Sequence, residues 1–413
     1  MGAGSTGRPE RKRTLLTDSA AAESLLAAFV SRAGRDNPYP VYRELLALPG
    51  LPRLGDGSLM MTRFADCSAV LRNPDVGHSD DVGGARVPDW RNHPSLLLFG
   101  TSLLGLDPPV HTRLRRIVSG SFTHRRVAGL RPAVTAVVHE LLENLSGESD
   151  FISAFAFPLP IAVIGELLGV PRADQPPFQQ LARDWTHVLD VTTPRVLARA
   201  DAAATRIRSY LGDLAAERRA RPRDDLMSAL VATTLDELGL DEVVTMAALL
   251  FAAGFETATH LLGNGLVTLL GHPDQHQHWR SAPDELAEPA VDELLRFDSP
   301  VQIARRKALR PMRIGDTQVA AGEKLTVCLG AANRDPARFA DPDRLALSRA
   351  EGGSLAFGAG IHYCLGAPLA RLEGQVAFPA LFRRYPGLAV AGPGVRRVSL
   401  TLRGYQRLPV TTG

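Results

Sequence analysis

Cysteine is scarce in this chain, and the scarcity narrows the chemistry. Only Cys67, Cys328 and Cys364 occur. No C-x-x-C pair exists, which argues against a zinc knuckle, and an odd, sparse count fits a reducing compartment better than a disulfide framework. Lysine is rarer still beside arginine: among 47 basic residues only Lys12, Lys307 and Lys324 are lysine. The net charge of +3 is too small to argue for a nucleic-acid partner. No targeting segment is expected at the start. The apolar run at 20–30 follows Arg11-Lys12-Arg13, but Glu23 interrupts it and Arg32 and Arg35 close it. It falls far short of the roughly 18 residues a membrane helix needs, so no membrane partner is expected. There is no internal repeat, no inter-domain linker, and no flavin or iron–sulfur motif.

What is present reads as a large globular core, with 45% hydrophobic and 22% charged residues over 413 positions. Residues 1–18 are polar and Gly-rich and are expected to be disordered. Helices are expected from Asn37-Pro38 to Ala47, over Phe64–Arg72, and over 132–145 and 160–168. A further pair, 175–189 and 194–218, is joined near Thr192-Thr193-Pro194. Strand-like pieces lie near Leu54 and at 59–62, and residues 75–100 read as loop. Asp107 is placed to cap a helix whose first turn holds Pro108 and Pro109. On that helix His111 and Arg115 share a face.

Residues 241–270 contain no proline and would span roughly 45 Å as a helix. Leu249-Leu250-Phe251-Ala252-Ala253-Gly254 is apolar on nearly every face and should be buried. Glu256 and Thr257 sit inside this run, where a carboxylate is costly without partners. The Thr257 hydroxyl is expected to bond the carbonyl of Ala253, four residues back, loosening the helix. Farther on, Glu293 and Arg296 are three apart on one helical face. Then comes the densest stretch, Phe357-Gly358-Ala359-Gly360-Ile361-His362-Tyr363-Cys364-Leu365-Gly366, followed by a helix from Ala367 to Arg384. A cysteine where a Gly-rich loop meets a helix start is placed to lose its proton, because unpaired N–H groups and the helix dipole favour a thiolate.

The pattern F-G-x-G-x-H-x-C-x-G resembles the cysteine loop of the cytochrome P450 superfamily. Leu365-Gly366-Ala367-Pro368-Leu369-Ala370-Arg371 extends the match in the style of soluble bacterial members, and the resemblance runs from about residue 37 to the C-terminus. It implies a mainly α (α+β) fold: one triangular domain over 19–413, with a helical bundle around haem b and small β-sheets. Cys364 is then the metal ligand. Phe357, Gly358, Gly366 and Ala253 become haem contacts, and His111, Arg115, Arg306 and His362 serve the propionates. Ala253-Gly254-Phe255-Glu256-Thr257 resembles the family's [AG]-G-x-[DE]-T motif, in which the acid and the alcohol bring protons to dioxygen at the haem. Glu293 and Arg296 match its buried E-x-x-R, completed by Arg349 or Arg344. By motif position Leu249, Ala252, Ile303 and Leu400 line the substrate pocket, with the segments 75–100 and 175–195.

The activity so implied is a cytoplasmic monooxygenase that hydroxylates or epoxidises a small organic molecule in bacterial secondary metabolism. Electrons would come from ferredoxin and its NAD(P)H-driven reductase, steered by a basic surface at Arg113, Arg116 and Arg371. Oxidative coupling or rearrangement on the same haem fold is the alternative. A non-catalytic haem sensor, or a peroxide-driven enzyme, fits less well, because neither needs the Glu256–Thr257 pair.

Overall fold

The computed structural model describes residues 22–78, 87, 89–189, 193–233 and 238–413. The expected tail over 1–18 lies outside them. The chain is mostly helical, and its organising element is the central helix Leu240–Leu270. Asp241 and Glu242 occupy its first turn, where the dipole favours acids. The Glu242 carboxylate also accepts the Gly239 N–H at 3.0 Å. Among the described residues this helix alone is long and apolar enough to cross a membrane, and 78% of its most apolar window is buried inside the protein. Gly254 in mid-helix costs about 1 kcal/mol against Ala. The structure supplies its reason: a Cβ there would stand 3.1 Å from Ile164 of the neighbouring helix Pro158–Leu168.

The helix Ala367–Arg384 begins three residues after Cys364 and packs against the central helix, Arg131–Glu143 and Ala287–Phe297. A four-stranded sheet lies beside this bundle in the order Leu59–Met61, Lys324–Cys328, Ile303–Ala308, Val76–Gly77. Its first pair is parallel and the others antiparallel. Because side chains alternate along a strand, Arg306 and Ala304 share one face while Ile303 takes the other.

Two local expectations are corrected. Residues 75–100 are not simply loop: Val76–Gly77 is a strand, Trp90–Asn92 a 3₁₀ turn, and Pro94–Gly100 a helix. Pro94 suits a first turn, and Leu96, Leu98 and Phe99 bury their side chains. Asp201 of the helix Pro194–Ala220 anchors this short helix, accepting Ser95 N–H at 3.0 Å and Ser95 Oγ at 2.6 Å. Asp107 is not a cap. The helix starts at Val110 behind Pro109, and the Asp107 carboxylate instead accepts the backbone N–H of His78 at 2.9 Å. Of the expected helical pair, Gln175–Thr186 runs on into a 3₁₀ turn, and Thr193 caps the next helix through Val196 N–H at 3.4 Å. Residues 190–192 of their connection are outside the described residues.

Candidate active site

The loop before Ala367 is shaped by its glycines. Gly358 and Gly360 have φ of +70° and +69°, the region that favours glycine. A Cβ on Gly360 would collide with the Leu71 carbonyl oxygen. The turn closes with Cys364 N–H donating to the Phe357 carbonyl at 3.0 Å. Gly366 differs: its φ is negative and a Cβ would meet only the Cys364 sulfur, at 3.9 Å. Nothing within the protein demands a glycine there.

Cys364 is open to solvent-sized space by surface area, yet enough protein surrounds it that burial raises its thiol pKa. The N–H groups of Gly366 and Ala367 and the charges of Arg115 and Arg371 oppose that rise. The helix start and the two arginines act in the direction expected of a thiolate site, against the cost of desolvation. A coordinated metal deprotonates such a thiol outright, and the donors around Cys364 are those a sulfur anion needs.

On the other side of the loop, three histidines and two arginines converge. The His362 ring lies 4.1 Å from that of His111 and 4.2 Å from that of His78. Arg115, one turn beyond His111, donates from Nη2 to the Tyr363 carbonyl at 2.7 Å. Arg306 enters from the sheet and is largely desolvated, which lowers its pKa to about 10. Burial, with His111, Arg306 and Arg115 nearby, lowers His362 to about 3, and burial lowers His78 further. Burial, then Arg115, lowers His111 as well. His78 Nε2, His362 Nε2 and both nitrogens of His111 are buried without a hydrogen-bond partner. Buried imidazole nitrogens without partners, beside two half-buried guanidiniums, suit an anion. This set fits the paired carboxylates of a haem lying against Cys364. His78 escaped the sequence reading; its only signal was a histidine in a Gly- and Asp-rich segment.

The central helix carries the acid and alcohol of the second motif. Thr257 Oγ1 donates to the Ala253 carbonyl at 3.0 Å, as the spacing predicted. Glu256 is buried and pairs with Arg397. Phe255 packs away from the site, 5.5 Å from Phe157 and 5.9 Å from Phe251 between ring centres. Leu249 and Ala252 belong to the main core. Ile303 and Leu400 come together in a smaller cluster with Tyr42 and Cys328, on the strand face opposite Arg306, so Ala304 and not Ile303 shares the face of Arg306.

Behind the loop, Glu293 is held by both arginines. Arg296 donates to it from Nε at 2.7 Å and Nη2 at 2.9 Å. Arg349 Nε donates at 3.1 Å, while Arg344 offers only its carbonyl, to Arg349 Nη2 at 2.9 Å and to Arg296 Nη2 at 3.4 Å. The third member is Arg349.

The cytochrome P450 family profile matches residues 174–388, just over half of the chain. The 6-deoxyerythronolide B hydroxylase of Saccharopolyspora erythraea is 42% identical over 388 residues, covering 90% of this chain and 94% of the relative. This chain is a cytochrome P450. Among solved structures, the tirandamycin C-bound P450 monooxygenase TamI is 38% identical with a TM-score of 0.81, covering 93% of this chain and 99% of its own. A P450 in complex with an acyl carrier protein ligated to hexadec-9Z-enoic acid has a TM-score of 0.85 at 31% identity, covering 92% and 100%. P450s bind haem b through a cysteine thiolate, and the named relatives are hydroxylases and monooxygenases; this P450 is an enzyme of that class.

Proposed function

We propose that this P450 inserts one atom of O₂ into a polyketide-sized, largely apolar molecule of bacterial secondary metabolism, by hydroxylation or epoxidation. The names of its relatives, the 6-deoxyerythronolide B hydroxylase and the tirandamycin-bound enzyme, support that substrate class. Electrons come from ferredoxin and its NAD(P)H-driven reductase, in the cytoplasm. The observation that carries the reading is the convergence of Cys364, with its ring of donors, and the orphaned nitrogens of His111 and His362. Cys364 holds the haem iron. His111, Arg115, Arg306, His362 and, in addition, His78 hold the propionates. Haem supplies the oxygen activation; the chain supplies position, protons and exclusion of wasteful reactions.

Thr257 is placed to pass a proton from its hydroxyl, which is re-aimed when its bond to the Ala253 carbonyl opens. Glu256 refills it. Thr257→Ala is expected to keep haem and substrate binding but to send most reducing equivalents to hydrogen peroxide. Simultaneous assay of NAD(P)H, peroxide and product checks this, and full coupling would contradict the assignment.

The basic patch for ferredoxin is smaller than its arginine count implies. Arg113 is bonded to Glu242, and Arg371 Nε to Asp292 at 2.7 Å. Arg116 is the most exposed of the three and, like them, has a partner of its own. Arg116→Glu is expected to slow reduction by ferredoxin at low salt and to flatten its salt dependence; unchanged rates and salt response would remove the patch from the account. The substrate class is tested by spectral titration with polyketides, free and as carrier thioesters, followed by turnover under ¹⁸O₂ with a surrogate ferredoxin and reductase. One labelled oxygen in the product is expected.

A further inference from the structure

Glu256, His260 and Asn264 recur every four residues on the central helix, and all three are buried. They line one face of it, about 12 Å long. The face is covered by the hairpin that pairs Val395–Arg396 with Tyr405–Arg407. Arg397 pairs with Glu256, and its backbone N–H donates to the Gly404 carbonyl at 3.0 Å. Gly404 lays bare backbone against the His260 ring, where any Cβ would collide with the imidazole. One turn on, Asn264 accepts from Arg396 Nη1 at 2.9 Å and donates to the Arg403 carbonyl at 2.9 Å. Arg403 in turn donates to the carbonyls of Arg35 and Asp36, at the protein surface. A polar seam therefore runs from the surface to the acid of the central helix through a mostly apolar interior.

His260 is the unexplained member of this seam. It is 4% exposed, and neither ring nitrogen has a hydrogen-bond partner. Glu256 Oε2 lacks one too. Each unsatisfied buried polar group costs about 1–3 kcal/mol, a penalty that a purely space-filling leucine would avoid. One helical turn places the two side chains about 5–6 Å apart at Cβ, within reach of proton transfer directly or through one water.

We propose that His260 relays protons along this seam to Glu256, so that the acid is recharged from behind the central helix and not from the substrate side. The proposal rests on the reading of Glu256 and Thr257 as proton donors. In each event a ring N–H gives its proton to the Glu256 carboxylate while the other nitrogen takes one from a water entering along the seam, and bulk solvent returns that proton to the water. The ring stays neutral, nothing is oxidised or reduced, and exchange of tautomers resets it. Burial and the charge of Arg396 lower the imidazole pKa to about 4, so near neutral pH the ring holds one donor and one acceptor, as a relay needs. The charged groups beside it are Glu256 on its own helix and Arg396 and Arg397 on the hairpin.

The test compares His260→Leu, His260→Gln, Glu256→Gln and Thr257→Ala as holoenzymes. His260→Leu is expected to lower the coupling of NAD(P)H to product about tenfold, less than the ~10²-fold or more of a direct donor, and to raise the solvent isotope effect. Haem content and substrate-binding spectra stay unchanged. Gln carries both a donor and an acceptor and restores most of the coupling. An independent readout is the NMR titration of ¹³C-labelled histidine in the reduced, carbon monoxide-bound protein. The His260 signal, identified by its loss in the Gln variant, shifts to a lower midpoint in Glu256→Gln, because the carboxylate no longer stabilises the imidazolium. Full coupling in His260→Leu, while Glu256→Gln and Thr257→Ala uncouple, overturns the relay and leaves the donor reading standing. Full coupling in all of them overturns the donor reading itself. Should the Leu variant not fold, a His260 midpoint indifferent to Glu256→Gln overturns the relay.

Discussion

Glu293→Ala is expected to cost about 3–5 kcal/mol of stability, the penalty for stranding a buried cation, and to strip haem from much of what remains folded. Glu293 and Arg296 are both about 2% exposed at the side chain, and Arg349 is 7% exposed. Removing the carboxylate leaves two guanidiniums facing each other out of water. The effect reaches the cysteine loop by a traceable route. Arg296 Nη1 donates to the Asn333 carbonyl at 2.8 Å, and Asn333 Oδ1 accepts the N–H of Leu355 at 2.7 Å, two residues before Phe357. A loss of that size is a large part of the 5–15 kcal/mol that holds most domains folded. Urea unfolding, with haem content measured alongside, checks it. A midpoint equal to the parent's would show that the carboxylate is not carrying the two arginines.

Cys364→Ala is expected to abolish substrate oxidation while sparing the fold. The sulfur's supports are backbone N–H groups of Gly366 and Ala367, which belong to a helix start that forms without it. The Phe357 carbonyl is held by the backbone of residue 364, so the loop keeps its closing bond. Circular dichroism should match the parent, and turnover with any substrate the parent oxidises should fall to background. Retained turnover would mean that another residue holds the metal.

The parts of this site governed by local spacing were legible in the sequence. The Thr257–Ala253 bond follows from a four-residue step, the Cys364 helix start from a Gly-rich loop, and the burial of the central helix from its unbroken apolar faces. Parts that depend on distant segments were not. Nothing in the order of residues selects Arg349 over Arg344, because both follow Glu293 by a long loop and only the fold brings one guanidinium to the carboxylate. The partner of Glu256 comes from the C-terminal hairpin, so the sequence showed a costly acid without showing Arg397. The face taken by Ile303 was not legible either: motif position fixes the strand, but a one-residue step decides the face.

The most direct test of the central claim, that the sulfur of Cys364 holds the haem, is the optical spectrum of the unmodified protein reduced under carbon monoxide. Thiolate ligation predicts the far red-shifted Soret band that gives this family its name, lost in Cys364→Ala. A band at the position typical of imidazole-ligated haem proteins, unchanged by that substitution, would contradict the account.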